Sequence, residues 1–137
     1  MEQIKDYHFY AAHRNETLDD KCRNIHGHTY YVKVFLVFGT VKTSGITMLF
    51  SDVDKLIDPI IKSYDHGMMI NCDDPLLTYL AKYIEDTGDK LKLKLFTGPT
   101  SAEALAEKLF NEITVAGLPI FRIEVRETTS STIAYYQ

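Results

Sequence analysis

At 137 residues the chain suits one domain, residues 1–137, with a sizeable core, and is short for two. Hydrophobic residues make up 45% and charged residues 25%, with no Pro-rich, Gly/Ser-rich or single-sign run, which argues against long linkers and disordered tails. A formal net charge of −4, with Lys and Arg scattered along the chain, speaks against a non-specific nucleic-acid binder and leaves room only for a local anion pocket.

The start, Met1-Glu2-Gln3-Ile4-Lys5-Asp6, has no apolar signal core. The most apolar run, residues 30–38, is broken by Lys33 and is too short to span a bilayer, so a soluble, cytoplasmic protein is expected. Cys22 and Cys72 lack C-x-x-C spacing and read as free thiols rather than as a disulfide framework or a cysteine zinc knot.

Residues 4–12, with Tyr7, Phe9 and Tyr10, predict a first strand, followed by a polar loop over 14–24 that holds Cys22. Residues 26–37 alternate and are rich in Tyr, Val and Phe, predicting a second strand that pairs antiparallel with the first and ends at the Gly39 turn. On an extended segment residues two apart share a face, so His26 and His28 project side by side while Gly27 faces away. His13, at the end of the first strand, can complete the three-nitrogen set that catalytic zinc uses with a fourth position open. Ordinary surface or hydrogen-bonded histidines are the alternative. Cys22 hangs over the same end, placed either to act as base or nucleophile beside a metal-bound substrate or to serve as a fourth structural ligand.

Beyond Thr43-Ser44-Gly45, Ser51 is expected to cap a helix in which Val53, Leu56, Ile57, Ile60 and Ile61 recur at helical spacing, and Pro59 should kink or split it. Asp65 and His66 follow. Neighbours on a regular element point apart, so this pair relays protons only through a backbone irregularity or a partner subunit; otherwise Asp65 caps a turn beside a surface histidine. Residues 75–85 predict a second helix closed by Thr87-Gly88-Asp89. Residues 91–96 alternate Leu with Lys, which predicts a half-buried strand with its lysines in water. Thr100 or Ser101 caps a third helix over 102–115, with Leu105, Ala106, Leu109 and Ile113 inward. In the last strand, 120–127, Ile123 and Val125 share a face with Glu127. An inward carboxylate demands a partner, and a ligand with two parallel N–H donors is one; fraying into solvent is the alternative.

The motifs Phe9-Tyr10-Ala11-Ala12-His13-Arg14, Cys22-Arg23-Asn24-Ile25-His26-Gly27-His28-Thr29-Tyr30, Asp65-His66, Ser101-Ala102-Glu103-Ala104-Leu105-Ala106 and Val125-Arg126-Glu127-Thr128 occur in that order. Together they make nearly the whole chain resemble the 6-pyruvoyltetrahydropterin synthase family, including its prokaryotic branch, the 6-carboxytetrahydropterin synthases of the queuosine pathway. The C-x-x-x-H-G-H spacing is similar to that of the prokaryotic branch, since the animal pyruvoyl enzymes tend to place the cysteine further from the histidine pair. The resemblance implies zinc on His13, His26 and His28, Cys22 as the thiolate that moves protons, and Asp65 with His66 as a linked acid/base pair. It also implies Glu127 as the anchor of the pterin ring and Glu103 as a second substrate-binding residue.

The fold so implied is α+β, the tunnelling or T-fold, with a four-stranded antiparallel sheet and helices packed on one face. Such subunits join edge to edge into a β-barrel tunnel with active sites between chains, as a homohexamer of two stacked rings of three. The implied reaction is a zinc-dependent lyase step that turns 7,8-dihydroneopterin triphosphate into 6-carboxy-5,6,7,8-tetrahydropterin, releasing triphosphate and acetaldehyde. The alternatives are a 6-pyruvoyltetrahydropterin synthase acting on the same substrate and a pterin-binding homologue weakened in catalysis. The last is prompted by Met48-Leu49-Phe50, where relatives commonly read Met-Asp-Phe. Thr100-Ser101 in place of the usual Pro-Thr is milder, because Ser still caps a helix.

Overall fold

In the computed structural model, which describes residues 1–137, one sheet organises the chain. Strands β1 (Glu2–His13) and β2 (His26–Val37) pair antiparallel over their full lengths, from Glu2 opposite Val37 to His13 opposite His26. The period of two then sorts the side chains. Phe9, Ala11 and His13 from β1 and Tyr30, Val32 and Val34 from β2 are buried on one face, while His8, Tyr10 and Tyr31 stay on the open one. Next come α1 (Phe50–Tyr64), β3 (Gly67–Asn71), α2 (Pro75–Thr87), β4 (Leu93–Phe96), α3 (Ala102–Val115), β5 (Ile120–Arg126) and β6 (Thr132–Tyr136).

The sheet has six strands rather than the expected four, in the order β4-β3-β1-β2-β5-β6. Its antiparallel part is β1-β2-β5-β6, in which β6 had no counterpart in the sequence reading. Strands β3 and β4 extend it beyond β1 as short parallel neighbours, joined through α2, the kind of crossover that parallel strands require. The β3 run Gly-Met-Met-Ile-Asn is covered on both sides and so lacks alternation, which hides it from a search for period two.

Helices α1 and α3 cover one face and pack on each other. Val53, Ile57, Leu105, Leu109 and Ile113 meet Tyr30, Val32, Val34 and Leu36 there, with Phe9 stacked on Tyr30 at 5.2 Å between ring centroids. Helix α2 buries none of its residues. No helix is long and apolar enough to cross a membrane.

Three local expectations change. The lysines of the 91–96 run do not form one solvated face: Lys92, just before β4, is exposed, whereas Lys94 within it is half-buried. Lys92 Nζ donates to the carbonyls of Lys62 and Asp65, each at 2.8 Å, and Lys94 donates to Ser63 Oγ, pairs with Glu112 at 3.2 Å and lies 4.3 Å from the Tyr64 ring centre. The last carbonyls of α1 have no intrahelical donor, and Lys92 supplies one at Lys62, while Leu91 and Leu95 are exposed. Pro59 lies inside an unbroken α1. That helix starts at Phe50, with Leu49 rather than Ser51 at its N-cap and no side-chain cap bond.

Leu49 thus stands where an aspartate would accept from the first-turn N–H groups. Gln3 Nε2 donates to the Met48 carbonyl at 2.6 Å, which sets this cap beside the start of β1, about 33 Å along the strand from His13. The lost acid is therefore a lost helix cap. Leu49→Asp should raise stability by about 1 kcal/mol, seen as a melting temperature about 3–5 °C higher; an unchanged melting temperature would contradict the capping account.

Candidate metal centre and its surroundings

The register His13 opposite His26, with His28 two residues further on, puts three imidazoles on the helix-covered face at one end of the sheet. Their ligand nitrogens all lie within 4.8 Å of one another. His13 Nδ1 donates to the Thr100 carbonyl at 2.8 Å, and His26 Nδ1 donates to the Asn24 carbonyl at 2.7 Å. A carbonyl can only accept, so in the neutral rings both Nε2 atoms carry lone pairs, and these face each other at 3.1 Å. Two lone pairs at that spacing repel unless a cation lies between them. Burial holds the His13 basicity down, outweighing the favourable Thr100 carbonyl and Glu127, so a proton is poorly suited to the place. Burial also lowers His28. The donor set fits a metal ion, with backbone carbonyls fixing the rings from behind.

Glu127 points inward, on the side of Val125. Its Oε1 lies 3.3 Å from His13 Nε2 and 3.4 Å from His28 Nε2, and accepts from the Tyr30 hydroxyl at 3.3 Å. Burial, with the nearby carboxylate, raises the Tyr30 phenol far above its ordinary value, so it stays a donor.

Cys22 is half-buried in a short 3-10 turn, Lys21–Arg23, and lies outside the nitrogen cluster. Its N–H donates to Asp20 Oδ1 at 2.7 Å, and its carbonyl accepts from the Asn15 N–H at 2.8 Å. Desolvation and the Asp20 charge raise the thiol above its ordinary value. The chain alone therefore disfavours the thiolate that the sequence reading expects. Two contacts with no sequence signal of their own hold this loop: Arg14 grips Asp74 through two bonds of 2.7 and 2.6 Å, and Asn71 donates to Glu16 at 2.6 Å. Asp74 also caps α2 through the Leu76 N–H.

His66 has a positive φ of 57°, and this irregularity brings its Nδ1 to 2.8 Å from Asp65 Oδ2. Asp65 Oδ1 accepts from the Tyr10 N–H at 2.9 Å, which with His66 holds the carboxyl low. The His66 ring meets the edge of Tyr10, a side chain of the open face. The pair thus lies across the sheet from the three histidines. Glu103 is exposed in the first turn of α3, in a groove with Thr97, Pro99 and Glu107 that no histidine lines.

A sequence model of the family described as 6-pyruvoyl tetrahydropterin synthase matches residues 3–137. The 6-carboxy-5,6,7,8-tetrahydropterin synthase of Synechocystis is 30% identical, with 96% of this chain and 90% of that protein aligned. The protein of the same name from Haemophilus influenzae is also 30% identical, over 97% and 96%. Among solved structures, 6-pyruvoyl tetrahydropterin synthase of Caenorhabditis elegans superposes with a TM-score of 0.72 at 21% identity, covering 100% of this chain and 95% of that one. An uncharacterised protein of Wolinella succinogenes gives 0.77 at 20% identity, over 100% and 98%.

Removing one partner of a buried ion pair strands the other charge, so Arg14→Ala should cost about 3 kcal/mol in chemical denaturation at neutral pH. Arg14 holds the Asp74 carboxyl below its ordinary value, so this contribution is complete above the unfolded value of about 3.9 and fades as pH falls further. The gap between wild type and variant should therefore shrink in acid; a gap constant with pH would contradict the assignment. Alkylation of Cys22 should have its pH midpoint above the ordinary thiol value of about 8.5, followed by peptide mass spectrometry.

Proposed function

The chain belongs to the 6-pyruvoyl tetrahydropterin synthase family, and from that premise we propose that it converts 7,8-dihydroneopterin triphosphate to 6-carboxy-5,6,7,8-tetrahydropterin, releasing triphosphate and acetaldehyde. The name carried by the relatives at 30% identity and the C-x-x-x-H-G-H spacing favour the carboxy over the pyruvoyl product. The observation that carries a metal-dependent reaction is the trio of imidazoles, two of them with Nδ1 locked to a carbonyl and Nε2 free. In this reading the protein works in the cytoplasm, with both cysteines reduced, and its product feeds queuosine biosynthesis.

His13, His26 and His28 would hold the ion, and Thr100 and Asn24 keep two of the rings aimed. A bound zinc ion supplies Lewis acidity that makes side-chain hydroxyls of the substrate more acidic. Glu127 accepts the paired N–H groups of the pterin ring. Cys22 moves a proton at the side chain once its raised basicity is offset by cationic surroundings. Asp65 and His66 form the second proton carrier, His66 shuttling and Asp65 setting its orientation. They lie on the opposite face from the histidines, so they serve the site of a neighbouring copy. That division supports the homohexamer of two stacked rings of three, with the short strands β4 and β6 as the edges to be joined. Glu103, remote from the histidines in one chain, would likewise contact substrate held by another subunit. The reading of a catalytically weakened homologue rests on Leu49, which within one chain stands at a helix start away from the three histidines.

Zinc-loaded protein incubated with 7,8-dihydroneopterin triphosphate should release triphosphate and acetaldehyde and yield the 6-carboxy product by mass spectrometry. A product that keeps all three side-chain carbons would mean the pyruvoyl reaction, and no product would reject both. Cys22→Ala should abolish turnover while zinc content stays near wild type; loss of zinc would make the sulfur a ligand.

A further inference from the structure

We propose that Glu127 is a displaceable fourth ligand of the histidine site, and that a pterin-type ring opens the site by drawing this carboxylate away. The inference deepens the function proposed above and rests on it only for the identity of the ring.

Ligand atoms around a tetrahedral ion with bonds of about 2.0–2.1 Å are spaced about 3.3–3.4 Å apart. Glu127 Oε1 lies 3.3 Å from His13 Nε2 and 3.4 Å from His28 Nε2, and the His13 and His26 Nε2 atoms are 3.1 Å apart. The carboxylate oxygen thus has a ligand's spacing from two of the nitrogens, those of His13 and His28, while His26 lies farther from it, so that the set with all ligand atoms within 4.8 Å of one another is the three histidines. Tyr30, fully buried, steers it there by donating to the same oxygen, whereas the Glu127 side chain is 24% exposed and free to swing.

One carboxylate cannot do both tasks at once. Oε1 has two lone pairs, and with one held by the Tyr30 hydroxyl and the other by an ion none is left for an N–H donor, so a ring with an amino-pyrimidinone edge, which needs both oxygens, must draw Oε1 away from the histidines. Ring binding then uncovers the fourth position for the substrate's side chain, and compounds without the paired donors leave it covered. The arrangement makes recognition of the ring a condition of access to the reacting centre.

Zinc has no visible spectrum, so the test uses cobalt(II)-substituted protein and unsubstituted pterin, whose ring has no side chain to reach the ion. Glu127→Gln should weaken cobalt binding about tenfold or more and shift the visible bands. Adding the pterin to wild type should move its bands toward those of the variant, and the variant's bands should not move. Equal cobalt affinity and identical bands in the two proteins would overturn the proposal. So would wild-type bands that stay fixed while quenching of pterin fluorescence reports saturation. Circular dichroism checks the fold of the variant, and the wild-type titration needs no variant. Turnover enters neither arm, so a wrong reaction assignment, read from the product assay, is distinguishable from a wrong role for Glu127.

Discussion

The full-length pairing of β1 with β2 is the constraint on which the site depends. Side chains alternate with a period of two, so a slip of one residue in register would carry His26 and His28 to the open face and separate them from His13. The register is secured by burial. Phe9, Tyr30, Val32, Val34 and Leu36 all lie on the helix-covered face, and any slip would expose this set to water. The same apolar alternation that builds the core thereby aligns the three imidazoles at its end.

Polar contacts finish what the pairing starts. The loop between the strands and the segment before α3 bring the Asn24 and Thr100 carbonyls behind two of the rings, fixing which nitrogen is free. Arg14 and Glu16, close after His13, reach Asp74 and Asn71 at the C-terminal end of β3, so the loop carrying Cys22 is tied at its root. The price in burial is visible in the chemistry: His13, His28 and the Cys22 thiol are all shifted toward their neutral forms. A cation placed among the nitrogens would take up the lone pairs that His13 and His26 turn toward each other.

The Asp65–His66 pair sits on the opposite face, held by the β1 backbone at Tyr10 and by the left-handed turn at His66. One chain thus holds the Asp65–His66 pair and the three imidazoles on opposite faces of its sheet. In the proposed assembly each copy completes its neighbour, which ties catalysis to association at the same sheet.

Strands β1 and β2, the face shared by His26 and His28, the amphipathic α3 with its Ser101 cap and the inward side of Glu127 can all be read from residue order. All of these follow from local periodicity or a short capping motif, which a single segment carries within itself. Tertiary structure decided the rest. Strand β3 became legible only once both of its faces were covered, and Lys94 left the solvent because Ser63 and Glu112 stand beside it. Leu49 became the N-cap because α1 begins at Phe50. The Asp65–His66 pair fell across the sheet from the histidines, and Glu127 found imidazoles and a phenol as partners, because these relations join segments as many as 114 residues apart in a three-dimensional arrangement that no periodicity encodes.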